Sequence, residues 1–173
     1  MTSSTIDFLT TGRRVIAREA EALGLLGASL DDSFAKAVEL ILASNGRVIV
    51  SGMGKSGHIG RKIAATFAST GTPAQFVHPA EASHGDLGMV TAGDVALVLS
   101  NSGETSELAD IIAHTRRFSI PLIGVAGRPG STLLRQADVA LLLPPAPEAC
   151  ETGIVPTTST TMTLALGDAL AVA

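Results

Sequence analysis

Tryptophan and tyrosine are missing from this chain altogether, and lysine occurs only three times, at Lys36, Lys55 and Lys62, within a net charge of −4. A nucleic-acid surface needs a basic footprint for phosphates and flat rings on which bases stack, and this composition supplies neither. The single cysteine, Cys150, excludes a disulfide within the chain and a zinc site of several thiolates, and reads as a small packed side chain. No apolar run approaches the roughly 20 residues that span a bilayer. The opening Met1-Thr2-Ser3-Ser4 lacks the basic-then-apolar pattern of a signal peptide, so the expected location is the cytoplasm, with no membrane partner. Charge is scarce too: 16% of residues are charged and 46% hydrophobic. That balance excludes a disordered chain and leaves more apolar surface than a monomer comfortably covers, so an oligomer is expected.

What is present reads as one α/β domain over residues 1–173. Residues 4–27 carry apolar side chains near a 3.6-residue spacing and predict a helix. A second helix begins at the cap signal Asp31-Asp32-Ser33 and stops at Asn45-Gly46. Short apolar runs follow at Val48-Ile49-Val50, Gln75-Phe76-Val77, Val95 to Leu99, Leu122 to Val125 and Val139 to Leu143. Runs apolar at every position suit strands covered on both faces. Helical stretches at Ile59 to Thr70 and Glu104 to Phe118 separate them, Gly71 sits where the first would be capped, and Thr158 to Ala173 reads as a last helix. The alternation predicts a three-layer, doubly wound, five-stranded parallel sheet in the flavodoxin-like order 2-1-3-4-5.

Two polar loops follow strands and open helices. The first is Ser51-Gly52-Met53-Gly54-Lys55-Ser56-Gly57-His58, whose glycines admit a ligand close to the backbone and whose helix start suits an anion. It matches G-x-G-x-x-G, but the dinucleotide reading wants an acidic residue after the next strand, where His78-Pro79 stand instead. Gly54-Lys55-Ser56 suggests an NTPase phosphate loop, yet Ile49 occupies the upstream glycine position. The second loop is Ser100-Asn101-Ser102-Gly103-Glu104-Thr105-Ser106-Glu107. Capping by Ser102 explains one or two hydroxyls; the remainder, with Asn101, fit a phosphate cradle. In the expected strand order both loops meet at the switch point between the first and third strands, where ligands bind in open α/β sheets. Lys55 would present its ammonium there. Glu107, on a first helical turn, and Glu148, after Pro144-Pro145-Ala146-Pro147, read by themselves as a capping charge and a solvated loop charge. His78 and His84 beside the crevice suit sugar hydroxyls or a metal, whereas His114, next to Arg116-Arg117, reads as solvated surface.

These segments, with Ala64 to Thr72, His84-Gly85-Asp86-Leu87-Gly88, Gly127-Arg128-Pro129, Glu148-Ala149-Cys150 and Pro156 to Thr161, resemble the arabinose-5-phosphate isomerases of the sugar isomerase (SIS) superfamily over nearly the whole chain. The resemblance implies interconversion of D-arabinose 5-phosphate and D-ribulose 5-phosphate for Kdo and lipopolysaccharide synthesis, a homotetramer, and no required cofactor. It implies catalytic roles for Lys55, Glu107 and Glu148, and substrate binding by Ser51, Gly52, Ser56, Gly71, Thr72, His78, His84, Ser100, Asn101, Ser102, Thr105, Ser159 and Thr160. An inhibitory zinc at His78 is implied as well. Family members usually continue into a pair of CBS modules and a Ser-His-Pro-Gly-Gly segment with a catalytic histidine; neither is present, so this chain is expected to bind sugar phosphate while turning over slowly or not at all. A non-catalytic SIS module that senses a sugar phosphate, and another SIS isomerase such as one for heptose phosphates, are the alternatives. A sensor needs the cradle but not Lys55, Glu107 and Glu148 together.

Overall fold

A computed structural model describes residues 7–173. Two helices come first, α1 (Phe8–Ser29) and α2 (Asp32–Leu42). The cap signal works as read: the Asp31 side chain accepts from the Ser33 amide at 2.8 Å. Residues 4–6 of the first expected helix lie outside the described residues. Then β1 (Val48–Gly52), α3 (Lys55–Ser69), β2 (Ala74–Phe76), α4 (Pro79–Ser83), β3 (Val95–Leu99), α5 (Ala109–Arg117), β4 (Leu122–Ala126), α6 (Thr132–Gln136), β5 (Val139–Leu142) and α7 (Thr158–Val172) follow.

All five strands pair in parallel in the order β2-β1-β3-β4-β5, as the sequence predicts. Every residue of β1, β3 and β4 is buried. Alternate residues feed two cores, since successive side chains on a strand point to opposite faces. Val48, Val50, Leu97 and Val125 pack with Ile63 and Phe67 of α3, Leu166 of α7 and Leu26 of α1. Ile49, Ala96, Val98 and Leu122 pack with Ala82, Ile111 and Leu133 of α4, α5 and α6. The sheet is therefore the middle of three layers, and the path leaves β1 toward one face and β3 toward the other. That reversal opens the crevice.

The sequence did not foresee α4 or α6, five residues each and too short to display a period. Nor does the second polar loop open a helix directly, because a 3₁₀ turn at Ser106–Leu108 precedes α5. His114 is no solvated side chain: it is half-buried, its Nε2 lies 2.9 Å from the Val90 carbonyl oxygen, and its ring packs against Phe118. Cys150 is not packed away either. It sits partly exposed on a turn, 3.0 Å from the Thr152 hydroxyl, and that hydrogen bond, with backbone amides of the same turn, holds its thiol below the ordinary value.

Candidate functional site

The strand-to-helix turn after β1 requires glycine for space. A Cβ on Gly57 would sit 2.6 Å from the Gly52 carbonyl oxygen, so α3 can start hard against the strand end only without one. Gly54, at φ +59°, makes the turn, and Lys55 begins the helix with its side chain exposed. Beyond β3, Gly103 at φ +65° lies so close to Ser131 that a Cβ would overlap the serine hydroxyl.

The second loop is braced from within. Ser100 is buried; its hydroxyl accepts from the Gly103 amide at 3.0 Å and shares a hydrogen bond with the Thr105 hydroxyl at 2.8 Å. Ser102 accepts from the Glu104 amide at 3.2 Å within the loop, so it tightens a turn rather than capping a helix as the sequence suggests. Glu104, unassigned from the sequence, accepts from the Thr132 amide of α6 at 2.9 Å and fixes the loop to the neighbouring helix of the same layer.

These two loops and the start of α7 enclose a cavity of about 250 Å³. Met53, Lys55 and Ser56 line it from the first loop, Asn101, Ser102 and Thr105 from the second, and Pro156, Ser159, Thr160 and Thr163 from α7 and the segment before it. The expected Lys55, Ser56, Asn101, Ser102, Thr105, Ser159 and Thr160 are thus gathered in one place. Met53, Pro156 and Thr163 were not foreseen, although Thr163 follows Ser159 and Thr160 at helical spacing and shares their face. A second cavity shares Asn101, Ser102 and Ser159 and adds Arg128 and Glu148. The Ser159 hydroxyl, between the two, is buried without a hydrogen-bond partner, as are those of Thr158 and Ser131.

Glu148 is half-buried and held at the start of α7. Its Oε2 accepts from the Thr157 amide at 2.7 Å, the Thr157 hydroxyl at 3.1 Å and the Ser159 amide at 3.3 Å. Burial pushes its carboxyl up, but the donors of Ser159 and Thr157 push harder and leave it below the ordinary glutamate value. Glu148 is therefore ionised at neutral pH. The sequence reading of a freely solvated loop charge fails, because the proline-rich segment folds back onto the helix start.

Other expected residues lie elsewhere. The Ser51 hydroxyl is buried and donates to the Val77 carbonyl at 2.8 Å, tying β1 to the exit of β2 rather than facing the cavity. Gly52 is buried beneath the turn. Gly71 and Thr72 follow α3, which carries the chain back to the strand beginnings; the Val48 amide there bonds the Pro73 carbonyl at 2.9 Å. One chain leaves them at the far end of the sheet from the cavity. Glu107 is exposed on the 3₁₀ turn, where its own amide and the Ser106 hydroxyl hold its carboxyl below the ordinary value, and it does not line the cavity. His78 caps α4, its Nδ1 accepting from the Ala80 amide at 3.2 Å, and His84 ends that helix in the open. Among the described residues no three His, Cys, Asp or Glu side chains gather as a metal would require. His78 in one chain is thus a lone ligand, a poor fit to a zinc site.

Comparison with known proteins places these features in context. The SIS domain family matches residues 41–173. The chain is 54% identical over 171 residues to "Arabinose 5-phosphate isomerase KdsD" of Pseudomonas aeruginosa, covering 99% of this chain and 52% of that protein. It is 55% identical over 167 residues to the protein of the same name from Escherichia coli K12, covering 96% and 51% respectively. It spans about half the length of these curated relatives. The solved structure of an E. coli CFT073 protein, c3406, in complex with arabinose 5-phosphate superposes with a TM-score of 0.92 at 38% identity, covering 99% of this chain and 90% of that one.

Proposed function

This chain belongs to the SIS domain family, and on that premise we propose that it is the isomerase part of an enzyme interconverting D-arabinose 5-phosphate and D-ribulose 5-phosphate. One observation carries the reading: a braced hydroxyl loop, a lysine ammonium and an ionised carboxylate converge on adjoining cavities at the switch point of the sheet. The relatives bearing the isomerase name and the neighbour in complex with arabinose 5-phosphate support the choice of sugar.

The hydroxyls of Ser102 and Thr105, braced by Ser100, hold the phosphate, which fixes the distance to the reacting carbons. Glu148, already ionised, takes the proton from C2. The carbonyl oxygen at C1 gathers the charge of the enediolate, and Lys55 steadies it. The proton then returns at C1 while the O2 hydroxyl proton passes to O1, so the aldose leaves as the ketose. Glu107, two residues beyond Thr105, serves as the second carboxylate at the edge of the site. Gly71, Thr72 and His84 enter it only where a second copy of the chain is apposed. The same reading makes the protein a cytoplasmic homotetramer that needs no organic cofactor and whose arabinose 5-phosphate feeds Kdo synthesis for lipopolysaccharide.

The test is an isomerase assay of the full protein on a panel of aldose phosphates. Arabinose 5-phosphate should be converted, and Lys55→Ala should lose most of the rate while keeping its melting temperature. Preference for a hexose or heptose phosphate would move the substrate assignment. Tight binding without conversion of any sugar would make the protein a sensor.

A further inference from the structure

The Glu148 carboxylate has one oxygen occupied and one free. Oε2 takes all three hydrogen bonds described above, and among the described residues Oε1 makes none. Of the three donors two are backbone amides, which any residue would supply at the start of α7. The third is the hydroxyl of Thr157, and its direction is not free to vary. The Ala149 amide donates into Thr157 Oγ1 at 2.9 Å, and Ala149 is fully buried, so that amide has to keep its acceptor. With one lone pair occupied from Ala149, the hydroxyl proton turns to Glu148 Oε2 at 3.1 Å. Thr157 thus closes a small ring joining the carboxylate, the following peptide and the helix start.

We propose that Thr157 is the positioning residue for Glu148, locking Oε2 so that Oε1 is the oxygen presented to the sugar; this rests on Glu148 being the reacting carboxylate.

The surrounding charges do not account for this orientation. From α1, Arg18 Nη1 bonds the Glu148 backbone carbonyl at 3.3 Å, and Arg14 bonds the Ala149 carbonyl at 3.2 Å and Glu151 at 3.0 Å, so both guanidiniums hold the backbone rather than the carboxylate. Arg128 lines the same cavity from the loop after β4, Lys55 lines the adjoining one, and Cys150 and Glu151 follow on the same turn. The Ser159 hydroxyl also favours the charged carboxyl but makes no hydrogen bond of its own, so Thr157 is the hydroxyl whose geometry fixes Oε2.

Removing the hydroxyl removes a donor to the charged form, so the Glu148 carboxyl titrates at higher pH. Carbon-13-detected titration of the Glu148 carboxyl in this chain should show that upward move in Thr157→Val. In the full enzyme the same substitution should lower kcat by roughly tenfold or more, with KM little changed, because a displaced reacting group costs rate rather than affinity. The acid limb of the pH–rate profile should shift upward with the titration. Thr157→Ser, which keeps the hydroxyl, should return both quantities toward their parent values. If the valine variant does not melt cooperatively, Thr157→Cys, a weaker donor, should fall between serine and the expected valine behaviour. An unchanged titration and rate in Thr157→Val, or no recovery with serine, overturns the positioning role. Glu148→Gln separates the two failures: if it keeps the rate, the reading of Glu148 itself falls, and the proposal with it. If it loses the rate while Thr157→Val keeps both rate and titration, only the role of Thr157 falls.

Discussion

Ser100, Ser102 and Thr105 look alike in the sequence, and the fold gives them different work. Ser100 is turned inward as a brace, whereas Ser102 and Thr105 line the cavity. Ser102→Ala and Thr105→Ala should therefore each weaken sugar-phosphate binding by about 1–2 kcal/mol, the scale of a hydrogen bond to a charged group, as calorimetric titration would show. Unchanged affinity in both would remove the cradle. A second residue of consequence lies at the opposite end of the sheet. Asp94 is buried and accepts from the amides of Arg47 at 2.7 Å and Thr91 at 2.9 Å, with the Arg47 guanidinium at 3.4 Å. Burial raises its carboxyl, but these donors outweigh it and the group stays below the ordinary aspartate value. A depressed carboxylate stabilises the fold above its unfolded pKa, and that contribution is lost as pH falls through the folded one. Asp94→Asn should cost about 2 kcal/mol near neutral pH. The gap to the parent should close in acid, which denaturant titrations across the pH range would measure.

Among elements, α7 decides the most. It closes the cavity, supplies the amides that hold Glu148, and packs against α3 on the side away from the loops. The α3–α7 contact is close because Gly167 has no side chain: a Cβ there would lie 2.4 Å from Ile63. Gly167→Ala should destabilise the protein by roughly 1–3 kcal/mol, the usual cost of overpacking. It should also weaken ligand binding, because displacing α7 displaces Ser159 and Thr160. A melting temperature equal to the parent's would show that the two helices can separate without loss. Helix α1 serves the same region from the other side, since Arg14 and Arg18 hold the carbonyls of residues 149 and 148.

At the scale of the whole molecule, large apolar side chains remain uncovered. Phe8, Leu9 and Ile16 of α1 are 81%, 70% and 71% exposed, Leu42 at the end of α2 is 74% exposed, and Ile154 beside the site is 80% exposed. Side chains of this size in such number are normally hidden against another subunit. Light scattering at micromolar protein should give a multiple of the chain mass, and charged substitutions at Phe8 and Ile16 should lower it. A monomer mass would contradict the expectation and leave Gly71 and Thr72 without a route to any site. Among the described residues, no helix is long and apolar enough to cross a membrane.

The sheet was legible from residue order alone because both faces of a central parallel strand are covered, so β1, β3 and β4 are largely apolar along their length and stand out between polar loops. Glycine spacing marked the turn after β1 for the same kind of local reason: only a residue without Cβ lets a helix start that close to a strand. The short helices α4 and α6 left no such trace, and neither did the direction of a hydroxyl, since Ser51 and Ser100 carry the same group as Ser102 and are turned inward by their place in the sheet and loop. Glu148 is the clearest case. Its neighbours in sequence are prolines, which say only that the segment is irregular. What holds one of its oxygens and leaves the other free is the start of α7, nine residues further on, folded back against it. Composition and periodicity determined the layers and the crevice, because burial acts on each residue separately. The partners of the charged and hydroxyl groups were decided by tertiary structure, because a hydrogen bond depends on where two distant segments come to rest.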